Sequence, residues 1–418
     1  MRPAHLDMPA RLDEYAPFVG ADVIEQIRLM ARHLEGARVQ HINSTKLGGG
    51  VAEILSRLVP LMNEIGLETD WTVLEGPETF FGVTKAFHNA LHGFPAEITP
   101  EMLELYREVI AENSSKVESD ADFVIVHDPQ PLGLVDFRTN RKAHWIWRCH
   151  IDVSQADLLV WTFLKPFIER YDVAVFHIPQ FVRRDLIIPQ YIITPVIDPL
   201  SGKNRDLPSE TIDEVLQRHQ IPSDRPFILQ VSRFDRLKDP FGALRAYQRV
   251  KRSIDVGFVF MGNFAPDDPE GRQVAREVVE EAESLPDATV IVNAQDNDIT
   301  VNALQRSATV VLQKSFREGF GLVVTEAMWK SRPVVGGDTG GIAFQVIDGV
   351  TGFLVQTEDG AVYQLRQLLS NPPLAASLGA EAHRRVQSTF LLPHYLRNWL
   401  SVLLNFRYPG RGVTVLAD

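Results

Sequence analysis

Residues 315–330 read S-F-R-E-G-F-G-L-V-V-T-E-A-M-W-K, and the fold turns on how they are parsed. Just upstream, Ala308-Thr309-Val310-Val311-Leu312 is an apolar run, rich in β-branched residues, with the length of a buried strand. Downstream, 322–330 has helical character, so Gly319 and Gly321 fall in a strand-to-helix turn. Such a turn aims free backbone N–H groups, backed by a helix N-terminus, at one point where an anion binds. Glu318 precedes the glycines, and Glu326 is expected in the first turn of the helix. A carboxylate accepts hydrogen bonds from sugar hydroxyls but repels phosphate. The stretch therefore describes a site for a ligand that carries both phosphates and sugars.

Outward from this stretch the same alternation recurs in both directions. Strands are expected at 38–44, 69–74, 122–127, 144–148, 173–178 and 191–196, with helices at 21–34, 51–65, 100–116 and 158–170 among them. The polar segment 198–209, with two prolines and a glycine, reads as a linker. Beyond it, strands are expected at 227–231, 257–261, 289–292, 309–312 and 333–335, separated by helices that include 239–252, 269–284 and 322–331. Residues 361–406 are expected to be mostly helical. Strands alternating with helices imply parallel sheets, hence an α/β protein of two doubly wound, Rossmann-like domains, 1–200 and 201–389. In such sheets ligands bind beyond the carboxyl ends of the strands.

Composition narrows the functional classes. At 418 residues the chain is long for one domain, and 45% hydrophobic with 23% charged residues is ordinary for a globular protein. A net charge of -12 argues against nucleic acid as a partner. One cysteine, Cys149, excludes an internal disulfide framework and any multi-cysteine zinc site. With no charged-then-apolar leader and no run long enough to span a bilayer, a cytoplasmic protein acting away from membranes is expected.

Other polar groups collect at the expected strand ends. Arg233 and Lys238, in V-S-R-F-D-R-L-K-D-P (231–240), are suited to clamp a diphosphate, a fork and a point charge, although Arg236 shows that surface cations are common here. Asn263 follows the 257–261 strand. Gly48-Gly49-Gly50 sits between the first strand and a helix, where backbone can approach a ligand or where a flexible connection suffices. His150 and Asp152 in W-R-C-H-I-D-V-S can face a hydroxyl. The alternative is a core histidine beside a helix cap at Asp152 or Ser154. His127-Asp128 leaves the same choice open, and Gly336–Gly341 reads as a turn beside the phosphate site. His33, His41, His88 and His92 show no metal-ligand spacing and are read as structural.

With those residues in view, the chain resembles retaining glycosyltransferases of family 4, through E-G-F-G-L-V-V-T-E-A (318–327), V-S-R-F-D-R-L-K-D-P (231–240) and the N-terminal glycine loop. Within that family S-T-K-L-G-G-G-V-A-E (44–53), H-D-P-Q-P (127–131) and W-R-C-H-I-D-V-S (147–154) are similar to the branch that joins a nucleotide-activated glucose to free glucose, giving α,α-trehalose reversibly. The resemblance implies the GT-B fold, two domains facing across a cleft, with a C-terminal helix (390–418) crossing back to the first. It implies a UDP-, ADP- or GDP-glucose donor, glucose or trehalose as the other ligand, and a homodimer. No metal cofactor is required, and Mg²⁺ is at most an accessory to the nucleotide. Catalytic roles fall to His150, Glu318, Arg233 and Lys238. Donor contacts fall to Gly49, Gly50, Arg233, Lys238, Asn263, Glu318, Gly319, Phe320, Gly321, Leu322, Val323 and Glu326, and acceptor contacts to Gly48, Asp128, His150 and Asp152. Many relatives follow the phosphate-binding lysine with Gly, where this chain has Asp239-Pro240. The rival readings are a family 4 glucosyltransferase with another sugar or a sugar-phosphate acceptor, and a non-catalytic sugar-nucleotide-binding protein.

Overall fold

The computed structural model describes residues 11–46, 49–264 and 269–409. Its contacts divide the chain into one unit of Met1–Val196 with Leu392–Asp418 and a second of Ile197–Leu391.

The first unit is built on six parallel strands: β1 (Arg38–Asn43), β2 (Glu68–Val73), β3 (Phe123–His127), β4 (His144–Arg148), β5 (Val173–Phe176) and β6 (Gln190–Ile192). They lie in the order β2-β1-β3-β4-β5-β6. β3, F-V-I-V-H, is buried at every residue, as a central strand covered on both faces must be. β6 is shorter than the sequence suggests. It stops before Pro195, which has no N–H to give a ladder.

The last helix, Leu392–Arg407, completes this unit and packs on the helices Ala21–Arg32 and Gly49–Glu64. Trp399 is buried with its ring edge-on to His41, 6.2 Å between centroids. Phe406 stacks on His144 at 4.4 Å, and Asn405 Nδ2 donates to the Tyr191 hydroxyl at 2.6 Å. Burial of a residue such as Trp399 is worth about 3–5 kcal/mol against alanine, which explains why the end of the chain belongs with its beginning.

The second unit carries β7 (Phe227–Val231), β8 (Gly257–Gly262), β9 (Ala288–Val292), β10 (Val310–Gln313), β11 (Val334–Gly337) and β12 (Gly352–Val355). All pairings are parallel, in the order β12-β11-β10-β7-β8-β9. Counted within the unit this is the doubly wound order 3-2-1-4-5-6. β12 escapes sequence reading because it is four residues long, set among turn formers in D-G-V-T-G-F-L-V. The expected linker is not a free tether. Trp329 Nε1 donates to Asn204 O at 3.2 Å, and Asn302 Nδ2 to Gly202 O at 2.9 Å, which fastens that segment to the second unit.

In each sheet the winding reverses once: between β1 and β3 in the first, between β7 and β10 in the second. Loops leaving the carboxyl ends of those paired strands part in opposite directions and open a crevice. The candidate residues gather at these two places.

Candidate active site

In the second unit, Lys238 follows β7 and Glu318 follows β10, on the two sides of the reversal point. Lys238 Nζ meets Glu318 Oε2 at 2.7 Å, with side chains only 15% and 10% exposed. Ser315 Oγ adds a hydrogen bond to the same oxygen at 3.3 Å. Phe316 N donates to Leu237 O at 2.8 Å, so the two loops are tied backbone to backbone.

A second, deeper ion pair lies beside the first. Lys314 bonds Asp239, and both are buried. Asp239 holds a left-handed backbone (φ 48°, ψ 52°), a conformation that favours glycine and that Asp tolerates better than most residues. This accounts for the departure from the glycine of many relatives. The same position is filled by a residue whose carboxylate caps the helix Pro240–Lys251 through Gly242 N (3.0 Å) and also neutralises Lys314.

The 318–321 turn is bolted from behind. Gln345 Nε2 donates to Phe320 O at 2.5 Å and takes the Thr325 hydroxyl on its own oxygen, also at 2.5 Å. Gly321 (φ 81°) leads into the helix Leu322–Trp329. Val324 N folds back to Gly321 O at 2.9 Å, while the N–H groups of Leu322 and Val323 precede any intrahelical acceptor. Gly340 explains the glycine cluster after β11. With φ 47°, it lies so close to the turn that a Cβ there would sit 1.8 Å from Glu318 O. The cluster makes room for the Glu318 turn.

One expectation needs correction here. Glu326 is four residues past Leu322, in the second turn of the helix rather than the first, and it is buried. Its carbonyl accepts from Lys330 Nζ (3.1 Å), which also donates to Gln305 Oε1 (2.8 Å) and Asn204 Oδ1 (3.0 Å). Burial presses that ammonium down to about 7, against the pull of Glu326. Arg233 is not drawn into the Lys238–Glu318 pair. Its side chain is 74% exposed, and its contact is with Asp235 at 3.5 Å. Asn263 closes the β8 end of the site, accepting from Phe234 N through its carbonyl (3.3 Å) and donating Nδ2 to Asn297 Oδ1 (2.7 Å).

In the first unit, Gly49 and Gly50 are not loop residues. They open the helix Gly49–Glu64; Gly48 lies outside the described residues. Asp128, beyond β3 on the other side of the reversal, is left-handed (φ 65°). Its Oδ1 accepts from His150 N at 2.6 Å, and its own N–H donates to Arg148 O at 2.8 Å, lacing the exits of β3 and β4 together. Burial raises its carboxyl to about 7, opposed by the His150 N–H and the Arg148 charge. Asp152 makes a local turn with Ser154 N (2.9 Å). Neither starts the next helix, Leu158–Ile168. Asp157 does, accepting from Leu159 N and Val160 N at 2.9 and 3.2 Å.

The His150 ring is held between two other histidines. Its Nε2 lies 2.9 Å from His127 Nδ1, and its Nδ1 lies 3.1 Å from His177 Nε2. His127 Nε2 in turn lies 3.0 Å from His41 Nδ1. His41, read as merely structural, thus belongs to the same row, and His177 was not singled out. A signal for it existed: H-I-P-Q (177–180) ends β5 as H-D-P-Q (127–130) ends β3.

Comparison with known proteins identifies the family. Residues 41–183 match the model of the trehalose synthase N-terminal domain, and 211–385 that of glycosyl transferases group 1. A trehalose synthase of Pyrococcus horikoshii is 43% identical over 398 residues, covering 94% of this chain and 96% of that protein. One from Rubrobacter xylanophilus is 41% identical over 395 residues, 93% and 95% of the two chains. Among solved structures, a sucrose-phosphate synthase from Thermosynechococcus elongatus superposes with a TM-score of 0.70 at 18% identity, covering 89% of this chain and 99% of that one, a likeness of fold. The two reversal points, the paired Lys238 and Glu318, the glycine-led helix and this family likeness converge: the chain belongs to the trehalose synthase family of glycosyltransferases.

Proposed function

We propose that the protein transfers glucose from a nucleoside-diphosphate glucose to free glucose, forming α,α-trehalose with retention at the donor carbon. The observation that carries this reading is the Lys238–Glu318 pair beside the head of the helix Leu322–Trp329. An ammonium and two backbone N–H groups suit a diphosphate, and an adjacent anchored carboxylate suits sugar hydroxyls.

The roles follow from chemistry. Lys238 and the Leu322 and Val323 amides stabilise the charge that develops on the departing diphosphate. Lys238 has three donors, so it can hold Glu318 and phosphate together. Arg233, exposed on its loop, supplies a second cation that closes on the bound diphosphate. Glu318 receives donor-glucose hydroxyls, with Gly319, Phe320 and Gly321 shaping the turn around them. Glu326 receives the ribose. Asn263 borders the nucleotide. Gly49 and Gly50, and Gly48 before them, let ligand approach the helix backbone, and Asp128, His150 and Asp152 face the sugars. In the reaction the bond from the anomeric carbon to phosphate breaks, its electron pair leaving with the diphosphate. The acceptor hydroxyl attacks on the same face and gives its proton to the leaving phosphate oxygen. A leaving group this good needs no strong general acid, and the fixed Lys238 with the closing Arg233 supplies the charge that a metal would otherwise provide.

The test is direct. UDP-, ADP- and GDP-glucose are each incubated with glucose, and the product linkage is read by NMR. The 1,1-α,α disaccharide is expected with at least one donor. Failure with every donor, while a sugar phosphate is accepted, would overturn the assignment.

A further inference from the structure

Two glutamines are buried in the central strands of the second sheet, Gln230 on β7 at 0% exposure and Gln313 at the end of β10 at 2%. An amide taken out of water at such a place costs free energy unless it is bonded, and each of these is bonded toward the ion pair of the site. Gln230 Nε2 donates to Lys238 O at 2.9 Å. Gln313 Nε2 donates to Ser315 Oγ at 3.1 Å, and Ser315 Oγ donates to Glu318 Oε2 at 3.3 Å. Lys238 Nζ reaches that same Oε2 at 2.7 Å. Both protein donors to the carboxylate thus fall on one oxygen, and among the described residues none bonds Oε1.

Hydrogen counting fixes the direction of this relay. The Ser315 hydroxyl has one hydrogen, and the Glu318 carboxylate can only accept. Once that hydrogen goes to Glu318, Ser315 Oγ faces Gln313 with a lone pair, so the amide must present its N–H. With the amide turned over, Gln313 Oε1 and Glu318 Oε2 would compete for one hydrogen, and one of the two contacts would be oxygen against oxygen. The turned amide would also bury an N–H where the structure leaves a bare Gln313 Oε1, and an orphaned donor is the rarer omission in folded proteins. Both counts select the same orientation. The stem of Glu318 is held as well: a Cβ at Gly321 would lie 3.0 Å from Glu318 Cγ, so only the bare glycine lets the side chain run along the turn.

We propose that Gln313 and Ser315 are positioning residues for the donor sugar, which together with Lys238 hold Oε2 of Glu318 and so reserve Oε1 for a sugar hydroxyl. The proposal deepens the reading above and rests on its assignment of Glu318 to the donor glucose. A carboxylate tied by Lys238 alone can pivot about that one contact and exchange its two oxygens. A second donor arriving from the serine removes that freedom, and the buried amide keeps the serine aimed. The diphosphate is indifferent to the relay, because Lys238 and the Leu322 and Val323 amides stay in place without it.

Calorimetric titration of the full chain with UDP, ADP and GDP, and with the glucose ester of each, separates sugar from diphosphate, since the ratio of the two Kd values for one base reads the sugar's share. Ser315→Ala is expected to raise the Kd of the glucose ester roughly three- to tenfold and to leave that of the free diphosphate unchanged. A general loosening of the turn would weaken both equally, and that result, or an unchanged ester, overturns the proposal. Gln313→Met, of nearly the same shape, is expected to shift the ratio in the same direction. Made on top of Ser315→Ala it is expected to add nothing, because it acts through the serine, and additive losses overturn the relay. Should Ser315→Ala fail to fold, Gln313→Met alone decides by the same split. The function is judged apart: ratios that shift as expected in a protein that makes no trehalose from glucose refute the reading above and leave the relay standing, whereas a wild type that binds none of the esters refutes both.

Discussion

The reversal points of the two sheets occupy equivalent places in equivalent topologies, yet they are furnished oppositely. The second unit sets charges there, Lys238 against Glu318 with Lys314 against Asp239 beside them. The first sets mostly uncharged groups there: four imidazoles held uncharged by burial and by the nearby Arg148 charge, and a carboxyl raised to about 7. A site for a diphosphate needs fixed charge ready before the bond breaks. A site for an uncharged sugar needs hydrogen bonds of defined direction, and full charges would only raise the cost of displacing water. The fold supplies the crevice twice, and the side chains decide what enters each.

The contrast breaks first at the deeper ion pair. Asp239→Ala strands a buried ammonium at Lys314 and removes a helix cap, with an expected loss of about 3–5 kcal/mol of stability. Denaturant titration measures it. An unchanged midpoint would mean that the second unit's charges are ornamental to its fold.

Lys238→Met strands the Glu318 carboxylate, so it should cost stability too, though less than Asp239→Ala, and in the folded variant it should lower kcat by roughly 10²- to 10³-fold, the usual consequence of losing one preorganised donor to a developing anion. Lys238→Arg should recover part of that. If both variants lose the same activity, position rather than charge governs the step.

A pH dependence sharpens the other half of the comparison. The folded Asp128 carboxyl titrates above its ordinary 3.8, so the native state holds the proton more tightly than the unfolded chain. Stability contributed by this group is full below about 4 and is lost as pH rises toward about 7, at no more than about 1.4 kcal/mol per unit. Asp128→Asn lacks that slope. Melting temperatures of the two proteins across pH 4–8 are therefore expected to diverge, the wild type falling relative to the variant. Parallel curves would place a full charge in the first unit and remove the contrast.

Much of this was legible in the sequence because its signals are local. Strand-like runs of three to seven residues marked ten of the eleven strands sought in the two sheets to within two positions at either end, with only β6 misjudged by more. E-G-F-G placed Glu318 on the turn that the structure builds. What stayed hidden depends on which strands become neighbours. Residues 41, 127, 150 and 177 look unrelated until the order β1-β3-β4-β5 lays them side by side. The same holds for Lys314 and Asp239, whose pairing requires β7 beside β10. Glu326 was misplaced by a turn although the helix start was read correctly: counted from Leu322 it is the fifth residue, one turn past the end that Gly321 opens.

The return of the final helix to the opening unit also sets an order of assembly. Ile197–Leu391 is continuous in sequence and can finish as soon as it clears the ribosome. The earlier-made portion must wait for Trp399 and Phe406 on the final helix. What is translated first is therefore completed last, and a nascent chain halted before Leu392 is left with one finished body and one open core.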